Sequence, residues 1–109
     1  MSSLSNYLRT NRKKSALSQE EVAFLLGGIG ESKSSRISRY ESCSREPTLS
    51  AALAYEVIYG KSVRELFAGL YEQVEQNVAK RAKLLSYRKK ILHSKRHELL
   101  INIASKTTA

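Results

Sequence analysis

Ser18-Gln-Glu-Glu-Val-Ala-Phe-Leu-Leu-Gly-Gly, followed after a loop by Ser34-Ser-Arg-Ile-Ser-Arg-Tyr-Glu41, is the stretch whose reading decides the fold. It predicts two short helices joined by a glycine turn. Ser18 and Glu21, three apart, form a capping box, which marks a helix start. Val22, Leu25 and Leu26 follow at i, i+3 and i+4, a one-sided apolar stripe. Ala23, in mid-helix, leaves room for a crossing helix to approach closely. Gly27-Gly28 ends the helix, because glycine adopts the left-handed conformation of a C-terminal cap at little cost. In the second helix, read from about Lys33 to Glu41, Ile37 and Tyr40 supply the buried side. Lys33, Ser34, Ser35, Arg36 and Arg39 are left on the other faces. A short helix with one apolar face and one face of hydroxyls and cations suits insertion into a DNA major groove, where arginine pairs bidentately with guanine.

Outside this stretch the chain continues as helices. Leu4 to Lys14 reads as a first helix, with Leu4, Tyr7 and Leu8 inward and Arg9, Arg12, Lys13 and Lys14 outward. From that basic cluster Arg9 and Arg12 are the candidates for phosphate contact. Thr48 caps a fourth helix whose core stripe is expected at Leu49, Leu53, Val57 and Ile58, with Ala51, Ala52 and Ala54 allowing close packing and Gly60 as its stop. Ser62 and Glu65 form a second capping box, followed by Val63, Leu66 and Phe67. Leu70, Val74, Val78, Ala82, Leu85 and Leu92 then recur near i, i+4 and i+7. They predict one long amphipathic helix reaching from Ser62 to about Ser94. Such a stripe needs cover, either by folding back on the domain or by pairing with a second copy. Leu99-Leu-Ile-Asn-Ile103 is too apolar for a free tail, whereas Ser105 to Ala109 reads as disordered.

Four pieces in this order resemble the Xre-type helix-turn-helix family, which includes Cro and the lambda-type phage repressors. They are Leu17-Ser-Gln-Glu-Glu-Val-Ala-Phe-Leu-Leu-Gly, Ile37-Ser-Arg-Tyr-Glu, Arg45-Glu-Pro-Thr-Leu and Ser62-Val-Arg-Glu-Leu-Phe, within residues 8–67. The resemblance implies a five-helix DNA-binding domain that represses by occupying an operator. It implies phosphate contacts at Gln19, which follows the helix cap, and at Ser44 and Arg45, in the loop that lies against the DNA backbone. It also implies that Arg39 is as often a backbone clamp as a base reader. Cys43 stands where the family commonly has glycine, and Ile29 where it has valine. The turn around Gly28-Ile-Gly-Glu is about four residues longer than the family's. Either this loop bulges over the DNA or Ser32 caps a longer recognition helix.

The 109 residues carry a net charge of +9, unevenly spread. Residues 1–77 hold ten Lys and Arg against nine Glu; residues 78–109 hold nine against Glu98 alone. A basic chain implies an anionic partner, whether nucleic acid, an acidic protein or a membrane surface. Double-stranded DNA is expected from the motif and not from the charge, because the surplus lies outside the motif. Lys80-Arg81, Lys83, Arg88-Lys89-Lys90 and Lys95-Arg96-His97 form a second candidate phosphate surface or a solvated helix face. If that surface alone carried binding, it would be strongly salt-dependent and without sequence preference.

Enzymatic chemistry finds no footing. There is no aspartate, and the glutamates form no paired-carboxylate site. His93 and His97, at i and i+4, have no third ligand beyond the poorly placed Glu98. Cys43, the single cysteine, has no base partner and excludes an internal disulfide. Neither a cofactor nor a metal is expected. Without a signal-peptide pattern or a membrane-length apolar run, a cytoplasmic protein is expected. The expected architecture is all-α: a helix-turn-helix domain over residues 1–68, then a basic amphipathic helix and tail over 69–109. The expected function is a sequence-specific DNA-binding repressor, acting as a homodimer. The competing expectation is a protein-interaction module, antitoxin-like or adaptor-like, that binds a partner through residues 70–103.

Overall fold

A computed structural model of the chain describes residues 5–27, 34–89 and 94–106. Its elements are all helices among the described residues: α1 (Leu8–Lys14), α2 (Gln19–Leu26), α3 (Ser34–Glu41), α4 (Leu49–Tyr59), α5 (Val63–Leu66), α6 (Ala68–Lys89) and α7 (Ser94–Ala104). The chain divides into two compact units, Met1–Leu70 and Tyr71–Ala109. Leu4, Gly28, Ile29, Ser32, Lys33, Leu92 and His93, all named above, lie outside the described residues.

In the first unit, α2 packs on α3 and α4, α1 packs on the same two helices, and α5 closes against α4. Local chemistry sets the helix ends as the capping patterns require. Both capping boxes form: Ser18 with Glu21, and Ser62 with Glu65. The Thr48 hydroxyl accepts from the Ala51 N–H, and Gly60 ends α4 in the left-handed conformation at φ 64°. The first helix begins later than its hydropathy suggests, at Leu8. Asn6 stands just before that start, its Oδ1 accepting from the Leu8 N–H at 3.1 Å. The preceding strand of chain is also held elsewhere, since the Tyr7 N–H donates to the Leu66 carbonyl at 2.7 Å.

The core is Leu8, Val22, Ala23, Leu26, Ile37, Tyr40, Ala51, Tyr55, Leu66 and Phe67. On α4 this corrects the expected stripe. Leu49, Leu53 and Val57 are 75%, 50% and 84% exposed, and of that set only Ile58 packs on the core. The inward row is instead Ala51 and Tyr55, with Tyr59 half-buried beside it. Tyr55 meets Tyr40 edge-on at 6.2 Å, meets Phe67 edge-on at 6.4 Å and stacks on Tyr59 at 5.8 Å between ring centres. Edge-to-face and offset pairs of this kind are favourable beyond the area they bury. A small alanine beside flat rings lets α4 seat closely, which a row of leucines would prevent. On α2 likewise, Leu25 is exposed while Val22, Ala23 and Leu26 are buried.

The long helix is not continuous from Ser62. Phe67, at φ −116° and ψ 41°, leaves helical geometry and separates α5 from α6. In the second unit the buried apolar side chains are Ala79 and Ala82 on α6 and Leu100 on α7. Val74 and Val78, from the expected stripe, stay exposed, as does Tyr71 beside them in the chain. The segment 99–103, expected to dock, belongs to α7, with Leu100 buried and Leu99 and Ile101 exposed. Ser105 and Lys106, expected to be disordered, form a turn closing α7.

Candidate nucleic-acid interface

The site is the outer side of α3 with the helix ends and loop that flank it. Ile37 and Tyr40, three apart, are both about 1% exposed and fix which way the helix faces. Helical geometry then puts Ser35, Ser38 and Arg39 on the opposite arc, and all three are exposed. Ser34 and Arg36 lie on the two flanks and are half-buried. Ser38 is absent from the base-reading set expected above; its place i+3 from Ser35 and i+4 from Ser34 is the signal that would have found it. Arg36 is not free. Its Nε donates to the Tyr40 hydroxyl, and its Cζ lies 5.3 Å from the centre of the Tyr40 ring.

Three side chains anchor the far end of this helix, and they set its angle to the rest of the domain. Arg12 grips the Glu41 carboxylate with two parallel hydrogen bonds, Nε to Oε2 at 2.6 Å and Nη2 to Oε1 at 3.1 Å. The two side chains are only 12% and 5% exposed. The same guanidinium donates to the Leu17 carbonyl at 3.1 Å, and Gln19 donates to Glu41 Oε1 at 3.2 Å. Glu41 thus ties α3 to α1 and to the start of α2 at once. Hydrogen bonding to Glu41 raises the Arg12 pKa above its ordinary value, against the burial that opposes the charge. Asn6, which no sequence pattern singles out, completes the set. Its Nδ2 donates to the Tyr40 carbonyl at 2.9 Å and to Cys43 Sγ at 3.2 Å.

This geometry corrects one of the expected phosphate contacts. Arg12 is folded inward and bound to a carboxylate, so it serves the scaffold and not a phosphate surface. Arg9, on the same helix, is exposed. Gln19 is half-buried at the N-terminus of α2, with its amide tied to Glu41.

The loop after α3 is tightly wound on the helix end. The Ser44 and Arg45 N–H groups both donate to the Arg39 carbonyl, at 3.0 and 3.3 Å. The hydroxyls of Ser42 and Ser44 lie 3.0 Å apart over that same carbonyl. Cys43 takes a left-handed φ of 64°, a conformation that glycine adopts without strain. Ser44 and the Arg45 side chain are left exposed beside the end of α3. Chemically, the surface offers hydroxyls and guanidinium donors, and the one carboxylate of α3, that of Glu41, is engaged by Arg12. That is a donor surface for an anion or for the acceptor edges of bases.

Among the described residues no group of His, Cys, Asp or Glu is placed to hold a metal ion. No helix among them is long and apolar enough to cross a membrane.

A family model described as helix-turn-helix, of the Xre and lambda-repressor type, matches residues 8–66, more than half of the chain. No curated protein and no solved structure gives a significant match. The matched span begins at the first residue of α1 and ends at the last residue of α5, so it coincides with the helices that build and orient α3. The chain belongs to the Xre-type helix-turn-helix family of DNA-binding regulators.

Proposed function

We propose that the chain is a sequence-specific transcriptional repressor that lays α3 in the major groove of an operator. The observation that carries this reading is the arc of Ser35, Ser38 and Arg39, exposed along one side of a helix whose other side is locked into the core. Ser34, Ser35, Arg36, Ser38 and Arg39 would meet base edges, with Lys33 preceding them in the chain. Arg9, Gln19, Ser44 and Arg45 would fix the register on phosphates, which position the protein without carrying sequence information. Operators of this kind are read by dimers on two half-sites about one DNA turn apart. The exposed Tyr71, Val74 and Val78 on α6 support self-association.

Selection of random duplexes on the purified chain, at near-physiological salt with competitor, tests this reading. Enrichment of an inverted repeat supports a dimeric reader; retained binding with no enriched sequence refutes base recognition.

A second reading has its own observation. The same α6 side chains, with Leu84 on α6 and Leu99 and Ile101 on α7, are exposed apolar groups in a strongly basic unit. A protein partner binding there would make the chain an interaction module with DNA binding secondary. Light scattering separates the two: a well-behaved dimer favours the repressor, whereas a monomer that associates only on co-expression with a partner favours the module.

A further inference from the structure

Resting on the reading that α3 meets base edges, we infer that Tyr40 is a positioning and specificity-determining residue. Its hydroxyl holds Arg36 so that the Nη1–Nη2 edge of the guanidinium is the one offered to a guanine. Arginine has two edges able to make a bidentate pair, Nε–Nη and Nη1–Nη2, and an unrestrained side chain samples both. Here the single Nε hydrogen is taken by the Tyr40 hydroxyl, and the guanidinium leans on the ring, Cζ being 5.3 Å from its centre. Only the Nη1–Nη2 edge keeps a pair of parallel donors for an outside partner.

The anchor is itself immobile. Tyr40 is 1% exposed and set edge-on against Tyr55 at 6.2 Å between ring centres. Its carbonyl is held by Asn6. The i, i+4 spacing makes the pair local to one face of α3, so the restraint needs no other element to close it. Arg39, with its exposed side chain, has no such ring beneath it among the described residues and is left to adapt to either a base or a phosphate. The two arginines of α3 are therefore unequal: Arg36 is pre-oriented and Arg39 is not. Pre-orientation reduces the side-chain entropy lost on binding and makes the contact geometrically selective.

The test uses the full chain and three variants: Tyr40→Phe, Arg36→Ala and the double variant. Random duplexes are first selected on the wild-type chain. Each variant is then measured on the selected duplex and on duplexes with one guanine replaced. Phenylalanine keeps the buried ring and removes only the hydroxyl, so the melting temperature should stay within about 2–3 °C of wild type, which is monitored alongside. Arg36→Ala should relax preference at one guanine. Tyr40→Phe should weaken discrimination at that same guanine about threefold to tenfold, the size of one hydrogen bond, and leave other positions unchanged. In the Arg36→Ala background, the Tyr40→Phe change should have no further effect.

The inference is overturned if Tyr40→Phe keeps full discrimination at that guanine. It is overturned equally if the two changes add independently, or if Arg36→Ala alters no base preference. A wild-type chain that selects no motif would instead remove base reading as a whole, an outcome visible before any variant is made.

Discussion

Replacing Glu41 by alanine should be among the most damaging single changes in the domain, although neither Glu41 nor Arg12 belongs to the apolar core. Glu41 holds Arg12 by two hydrogen bonds, at 2.6 and 3.1 Å, in a site where the two side chains are 12% and 5% exposed. Alanine leaves the guanidinium buried with only the Leu17 carbonyl as a partner, and it also strips Gln19 of its acceptor. Removing one member of a buried ion pair typically costs about 3–5 kcal/mol, because the remaining charge is uncompensated. A unit of this size has a total stability of roughly 4–10 kcal/mol. Glu41→Ala should therefore take from about a third to the whole of it. Urea unfolding followed by circular dichroism measures the loss, as a midpoint lowered by about 3–5 M if the slope is near 1 kcal/mol/M. The companion variant Arg12→Met with Glu41→Leu removes both charges and fills the space. It should recover most of the stability, since an apolar replacement of a buried pair is often neutral or better. A loss below about 1 kcal/mol for Glu41→Ala would refute the reasoning, because the pair would then be behaving as an exposed one. So would a double variant no more stable than the single.

Other consequences follow from packing and titration. Ile37→Ala, at a site 1% exposed, should cost about 2–5 kcal/mol, whereas Val57→Ala, 84% exposed, should change stability by less than about 0.5 kcal/mol in the same unfolding assay. Equal losses would restore the hydropathy-based stripe on α4. Burial raises the Tyr55 and Tyr59 pKa values, that of Tyr59 to about 12. Because the raised value favours the neutral phenol in the fold, this part of the stability is complete below the ordinary tyrosine value of 10.0 and is lost as the pH rises through the folded values. A near-ultraviolet titration should show these two rings ionising later than exposed tyrosines. Ionisation of all the rings together near pH 10, with the fold intact, would contradict their burial. The Glu65 pKa is lowered, first by the Ser62 backbone hydrogen bond and then by the Ser62 hydroxyl. Its capping contribution is accordingly present above the ordinary glutamate value of 4.5 and is lost as the pH falls through the folded one. Glu65→Gln should flatten that acid-side dependence, which chemical unfolding at a series of pH values would detect.

Much of this protein was determined by its sequence alone, wherever the deciding interaction is local. Ser18 with Glu21, Ser62 with Glu65, Thr48 and Gly60 fix helix ends through bonds spanning three or four residues, and each forms as its spacing requires. Ile37 and Tyr40 orient α3 for the same reason, since one helical turn relates them. The tertiary structure decided what depends on partners distant in the chain. Leu49, Leu53 and Val57 share the four-residue spacing of Ala51, Tyr55 and Tyr59, so periodicity cannot choose between the rows. Hydropathy favours the wrong one, because the seat for α4 takes small residues and flat rings. Arg12 reads as one more cation on a basic face until Glu41, twenty-nine residues away, is brought beside it. Asn6 shows no signal at all before the end of α3 arrives within its reach. Residues left on the surface of α3 are legible from the face they occupy, whereas residues that aim the helix are defined only by contacts the fold creates.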